Sequence, residues 1–128
     1  MKIVVGVPAY NEEGNIAKII LKLKKIADEV IVCDDGSKDL TGAISKEMGA
    51  ILIQHEKNQG YGGAIVSIFK KAKEIDADIL VTFDGDGQHR IEDLKNIINP
   101  INSKLADIVI GSRFLGTTKN LPKYRKIG

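Results

Sequence analysis

The chain has one cysteine, Cys33, so no internal disulfide can form and the fold must rest on a packed core. Cys33 sits in an apolar run and is expected to be a buried core thiol. A lone cysteine fits a reducing compartment, and the expected location is cytoplasmic or against the inner face of the membrane. No apolar run approaches the roughly 20 residues needed to cross a bilayer. Met1-Lys2 runs straight into Ile3-Val4-Val5, so no signal peptide is expected. Aromatic residues are only 5%, and the basic residues do not line a helix, which weighs against nucleic-acid recognition. Internal repeats and low-complexity stretches are missing too.

What is present suits one α/β domain. A chain of 128 residues can bury a real core. Net charge is only +2, yet Arg113, Lys119, Lys123, Arg125 and Lys126 lie in a tail without Asp or Glu. Such a tail suits an anionic substrate or a membrane surface, or it is a solvated end.

Strand and helix patterns alternate. Ile3–Val7 reads as a strand buried on both faces, ended by Pro8. Ile16, Ile19, Ile20, Leu23 and Ile26 recur at helical spacing, with Asn11 as the expected N-cap and Glu12 and Glu13 in the first turn. Val30–Cys33, Ile51–Ile53, Ile79–Phe83 and Ile108–Ile110 read as further strands. Helices are expected from about Asp39 to Met48, after the loop Asn58-Gln59-Gly60-Tyr61-Gly62-Gly63, and over Ile91–Ile101. This alternation predicts βαβ units and a mainly parallel sheet flanked by helices. After Phe114 the periodicity fails.

The polar clusters follow the strands. They are Pro8-Ala9-Tyr10-Asn11-Glu12, Asp34-Asp35-Gly36-Ser37, Asp84-Gly85-Asp86-Gly87-Gln88-His89 and Gly111-Ser112-Arg113. Parallel sheets bind ligands beyond the carboxyl ends of their strands, so four such clusters describe one site. Asp84-x-Asp86 places two carboxylates on one side of an extended segment, where a hard divalent ion relieves their repulsion. Gln88 adds a neutral oxygen. Of Asp34 and Asp35 only one needs a function: metal ligand, turn cap, or acceptor for a ring N–H of a base. The loop around Gly60 resembles a phosphate cradle but matches neither a dinucleotide fingerprint nor a Walker loop. No nucleophile–His–acid arrangement stands out.

Five blocks in order, Val-Pro-Ala-Tyr-Asn-Glu-Glu (7–13), Asp-Asp-Gly-Ser-Lys-Asp (34–39), Asn-x-Gly-x-Gly-x-Ala (58–64), Asp-Gly-Asp-Gly-Gln-His (84–89) and Gly-Ser-Arg-Phe (111–114), resemble family 2 glycosyltransferases. The nearest subgroup is the dolichyl/polyprenyl-phosphate sugar transferases. The resemblance implies a GT-A (Rossmann-like) nucleotide-sugar-binding fold over residues 1–128. It implies that Pro8, Tyr10 and Glu12 hold the nucleoside part of the donor and that Asp35 contacts its base, with Gly60 also expected at the nucleotide-sugar site. Asp84, Asp86 and Gln88 would hold Mg²⁺ or Mn²⁺ and the diphosphate, and Arg113 and Arg125 would meet the diphosphate or an acceptor phosphate. Asp86 and Arg113 are the expected catalytic residues. Family domains continue past the Gly-Ser-Arg block, so an acceptor-side portion is expected to be missing here.

The implied reaction moves a sugar from a GDP- or UDP-sugar to an acceptor, a polyprenyl or dolichyl phosphate. A phosphate acceptor is already anionic and needs positioning rather than a strong base. Peripheral membrane contact and a second copy at a sheet edge stay open, and no nucleic-acid partner is expected. The alternatives are a non-catalytic nucleotide-sugar-binding fragment and a sugar-phosphate nucleotidyltransferase. The latter needs a basic, Gly-rich loop after the first strand, where this chain has Pro8–Glu13.

Overall fold

A computed structural model describes residues 2–83, 107–110 and 125–126; for the last two segments it describes the backbone alone. The elements run β1 (Ile3–Ala9), α1 (Ile16–Leu23), β2 (Glu29–Asp34), α2 (Thr41–Glu47), β3 (Ile51–Gln54), α3 (Gly60–Glu74), β4 (Ile79–Thr82), β5 (Asp107–Ile110) and β6 (Arg125–Lys126). They form one sheet in the order β3-β2-β1-β4-β5-β6. The first five strands are parallel and β6 runs antiparallel to β5. The expected α/β architecture is therefore present. β6 escaped sequence reading because a two-residue strand carries no period.

Alternation along each strand splits the core into two layers. Val5, Val7, Val30, Val32, Ile79 and Val81 face α1, whose Ile16, Ile19, Ile20 and Leu23 are buried against them. Val4, Ile31, Cys33 and Leu80 face α3, through Ala64, Ile65, Ile68 and Ala72. This double burial explains why the strands are apolar throughout instead of alternating. Each fully buried Ile or Leu contributes about 1.5–3 kcal/mol relative to exposure. Gly6 lets α3 approach closely: a Cβ there would lie 2.3 Å from Ile68 Cγ2.

Two local expectations are corrected. Pro8 does not end β1, which continues to Ala9 with Pro8 opposite Cys33. The Gly6 carbonyl accepts the Phe83 N–H on the β4 side, and the Ala9 carbonyl accepts the Asp35 N–H on the β2 side. Pro8, two residues after Gly6, therefore turns its nitrogen toward β4, beyond the last pair, Gly6–Thr82, so no ladder donor is lost. Asn11 is not a helix cap either. It takes a left-handed conformation (φ 52°), and α1 starts only after Asn15, with no acid in its first turn. α2 spans Thr41–Glu47, close to the expected helix from about Asp39 to Met48, and the Asp39 carboxylate accepts the Thr41 N–H.

The strand order reverses between β1 and β4. The carboxyl ends of β1, β2, β4 and β5 lie on one edge of the sheet, because these strands are parallel. That is the edge on which the sequence clusters were expected to converge.

Candidate functional site

The loops after β1 and β2 are stitched together. The N–H of Asn11 donates to Ser37 Oγ (2.8 Å), and the N–H of Glu12 donates to Thr41 Oγ1 (2.8 Å). The N–H of Glu13 donates to Asp39 Oδ2 (3.2 Å). In return, the N–H of Lys38 donates to Asn11 Oδ1 (3.0 Å) and the N–H of Leu40 to Glu13 Oε2 (2.8 Å). The Glu13 carboxylate of the first block thus fastens a neighbouring loop. Burial works against the Asp39 charge, but its bonds from Thr41 and Glu13 outweigh this and hold its carboxyl below the ordinary value.

The paired aspartates divide their work. Asp34 turns to one side of β2. Its Oδ1 accepts the Ser37 N–H at 2.9 Å and its Oδ2 the Gln54 amide at 3.1 Å, and it lies against Gly42 of α2. Asp34 is the turn cap. Asp35 faces the other side, toward α3. Its Oδ1 accepts the Gln59 N–H at 2.8 Å, and its Oδ2 accepts the Gly60 N–H at 2.9 Å. Gln59 and Gly60 start α3, which has no cap from its own Gln59 side chain. A carboxylate just past β2 thus caps the helix from outside and complements its dipole. Two N–H groups of this loop, those of Gln59 and Gly60, are thus already given to Asp35.

Behind Asp35 lies a residue that sequence reading missed. His55, directly after β3, is 9% exposed. Its Nδ1 is 2.8 Å from Asp35 Oδ1, and its Nε2 is 2.8 Å from Ser67 Oγ on α3. Beside an acceptor-only carboxylate, Nδ1 carries the proton, and Nε2 then accepts the Ser67 hydroxyl. Cys33 Sγ lies 3.6 Å from Nε2. The row Asp35–His55–Ser67 has the composition of a nucleophilic triad but the wrong polarity. Its acid lines the wall of a cavity, and the serine lies on the far side of the ring. No signal in the sequence joins these residues, since only the β2–β3 register sets His55 beside Asp35.

Burial alone would raise the Asp35 carboxyl. The Gln59 N–H, the His55 ring and the Gly60 N–H outweigh it and hold the group below its ordinary value. Cys33 moves the other way. Burial, reinforced by the charges of Asp35 and Asp34, pushes its thiol up to about 12. It is the inert core thiol that the sequence suggests.

Pro8, Ala9, Tyr10, Glu12, Asp35, Asn58, Gly60, Tyr61 and Ala64 line that cavity, whose volume is about 320 Å³. Five residues expected at the nucleotide-sugar site, Pro8, Tyr10, Glu12, Asp35 and Gly60, therefore meet at one place, joined by Asn58 and Tyr61 from the same Gly-rich loop. Tyr10 and Tyr61 are 45% and 39% exposed, so each offers a ring to a ligand. Gly60 has a positive φ of 84°, with open space where a Cβ would stand. Asp84, Asp86, Gln88 and Arg113 lie outside the described residues, and Arg125 falls in β6, where the backbone alone is described. Among the described residues, no group of three His, Cys, Asp or Glu side chains is placed to hold a metal. No helix among them is long and apolar enough to cross a membrane.

Known proteins share much of this sequence and its fold. A UDP-N-acetylglucosamine–dolichyl-phosphate N-acetylglucosaminyltransferase from Methanococcus voltae is 40% identical over 142 aligned positions, covering 95% of this chain and 57% of its own length. A dolichol-phosphate mannosyltransferase from Pyrococcus furiosus is 33% identical, covering 99% of this chain and 38% of its own length. The chain spans about half the length of the curated relatives it matches. Among solved structures, glucosyl-3-phosphoglycerate synthase from Mycobacterium tuberculosis, in complex with Mn²⁺, UDP and glucosyl-3-phosphoglycerate, matches with a TM-score of 0.55. It is 29% identical, over 66% of this chain and 33% of that one. A further mycobacterial protein matches with a TM-score of 0.65 at 25% identity, over 80% of this chain and 37% of that one. The GT-A fold is thereby shared with glycosyltransferases, and the family model described as Glycosyl transferase family 2 matches residues 4–128. With its cavity at the carboxyl ends of β1 and β2 and the family's blocks in order along the sequence, the chain belongs to glycosyl transferase family 2.

Proposed function

We propose that the chain is the donor-binding domain of a glycosyltransferase that moves a sugar from a nucleoside-diphosphate sugar to a polyprenyl or dolichyl phosphate. The observation that carries this reading is the cavity itself. A carboxylate held ionised by backbone and imidazole donors lines its wall beside two half-exposed tyrosines, at the carboxyl ends of parallel strands. A base lying against a tyrosine ring presents its edge N–H to Asp35. The reading is supported by the relatives named for dolichyl-phosphate and dolichol-phosphate transfer.

In this proposal Asp84, Asp86 and Gln88 hold a divalent ion, Mg²⁺ or Mn²⁺. Two carboxylates and an amide oxygen form a hard donor set that fits either ion. In sequence they come shortly after the end of β4. The bound ion would offset the charge that builds on the departing diphosphate. Arg113 and Arg125 would place the diphosphate and an acceptor phosphate, and a lipid-linked acceptor brings the domain to a membrane surface.

The test is thermal unfolding with UDP-N-acetylglucosamine, UDP-glucose and GDP-mannose, each with and without Mn²⁺ or Mg²⁺. A ligand at about 100 times its dissociation constant adds roughly 2.7 kcal/mol to folding stability. We expect a metal-dependent gain with at least one donor and its loss in Asp86→Ala. A folded protein that responds to none of them, or an Asp86→Ala variant that keeps the metal-dependent gain, would overturn the proposal. Donor hydrolysis or transfer separates an enzyme from a binding domain.

A further inference from the structure

Asp35 has four acceptor positions, two on each oxygen. Oδ1 is filled twice, by His55 Nδ1 at 2.8 Å and the Gln59 N–H at 2.8 Å. Oδ2 is filled once, by the Gly60 N–H at 2.9 Å. One position on Oδ2 is left. Asn58, on the same cavity wall, accepts the Gly60 N–H on its Oδ1 at 3.0 Å, which leaves its amide nitrogen as the group able to donate. Asp35 and Asn58 together therefore offer one open acceptor position and one neighbouring donor.

That pattern distinguishes bases. Uracil presents a single N–H between two carbonyls. Guanine presents a ring N–H and an exocyclic amine side by side, a pair of donors suited to both oxygens of a free carboxylate. With Oδ1 filled from behind, the guanine amine would enter the cavity without an acceptor on Asp35. A desolvated polar group left without a partner is penalised more heavily than a formed bond is rewarded.

His55 is the side chain that closes Oδ1. It is buried, it stands on the face of Asp35 turned toward α3, and its ring is held at the far nitrogen by Ser67. Building on the donor-site reading above, we propose that His55 is a positioning residue. By occupying Asp35 Oδ1, it makes the cavity select uracil over guanine and hence a UDP-sugar over a GDP-sugar. Without the imidazole, Oδ1 regains an open position, and the carboxylate is freer to turn both oxygens toward a ligand.

The experiment titrates the intact chain with UDP and with GDP at fixed Mn²⁺. The two ligands share ribose and diphosphate, so the ratio of their affinities isolates the base. UDP is expected to bind more tightly by about tenfold or more. His55→Gln, which keeps an N–H donor, retains the preference, whereas His55→Leu moves the ratio toward unity. Ser67→Ala loosens the ring and lowers the ratio part of the way, and it serves as the test if His55→Leu does not fold. A residue with only a structural role would weaken both ligands together and leave the ratio unchanged; that result overturns the inference. Equal or tighter binding of GDP by the native chain overturns it too, while leaving the donor site in place. If neither nucleotide binds, the donor-site reading falls and takes this inference with it.

Discussion

His55 Nδ1 lies 2.8 Å from Asp35 Oδ1, although 20 residues separate the two in the chain. β2 and β3 are paired in parallel register up to Asp34 opposite Gln54, so each residue just past that pair meets the other. The contact joins the end of one strand, the start of α3 and a cavity wall into a single unit. Folding and, in the proposed donor site, ligand binding therefore depend on the same carboxylate.

The first consequence concerns acid. The Asp35 carboxyl is held below its ordinary value of 3.8, so the ionised form favours the fold. Its contribution is fully present above that value and is lost as pH falls through the lower, folded-state value. Asp35→Asn removes this contribution and sets an amide against the Gln59 and Gly60 donors. At neutral pH it should cost about 1–3 kcal/mol, from buried donors left unpaired. The gap between native and variant stability should then narrow below about pH 4. Denaturant unfolding at several pH values reads both effects, and a gap that stays constant into acid would contradict the assignment.

Gly36 gives a second prediction. Its φ is +79°, and an added Cβ would stand 2.7 Å from the backbone nitrogen of Asn58. Neither problem is relieved by moving a flexible side chain. Gly36→Ala should destabilise the protein by about 1–3 kcal/mol. It should also weaken nucleotide binding, because the segment it pushes carries Asn58 and leads into Gly60. Melting temperature and UDP affinity should fall together; a stable variant with native affinity would show that the two loops are free to separate.

Cys33 gives a third. It is fully buried, and its thiol is pushed up to about 12 by burial and by the neighbouring carboxylates. Only the thiolate reacts readily with disulfide reagents. Labelling should be negligible in the native protein near neutral pH and rapid in denaturant. Fast labelling of the folded chain would mean that the layer between the sheet and α3 opens often.

Much of this was legible beforehand, and the reasons are local. The runs Ile3–Val7, Val30–Cys33 and Ile79–Phe83 are too apolar to have a wet face, and helical spacing fills the intervals between them, which together require a parallel sheet covered on both sides. Polar residues at the strand ends then collect on one edge. Pro8, Tyr10, Glu12, Asp35 and Gly60 do line one cavity. Where local reasoning failed, an alternative partner was closer in space than in sequence. Asn11 looked like a helix cap because caps are judged by the residues next in the chain, yet its acceptor is taken by Lys38 across the sheet edge.

Asp34 and Asp35 mark the boundary between the two kinds of knowledge. The sequence by itself determined that two carboxylates stand at a strand end and point to opposite sides, because side chains along an extended chain alternate. Which side holds α2 and which holds α3 depends on strand order and on the helix crossings. Only the assembled sheet decided that Asp34 would fasten a turn against Gly42 while Asp35 would cap α3 and line the cavity. The same holds for His55 and Ser67. Helix and strand patterns are carried by neighbours within a few residues, whereas a hydrogen bond between strand ends exists only once the register between the strands is set.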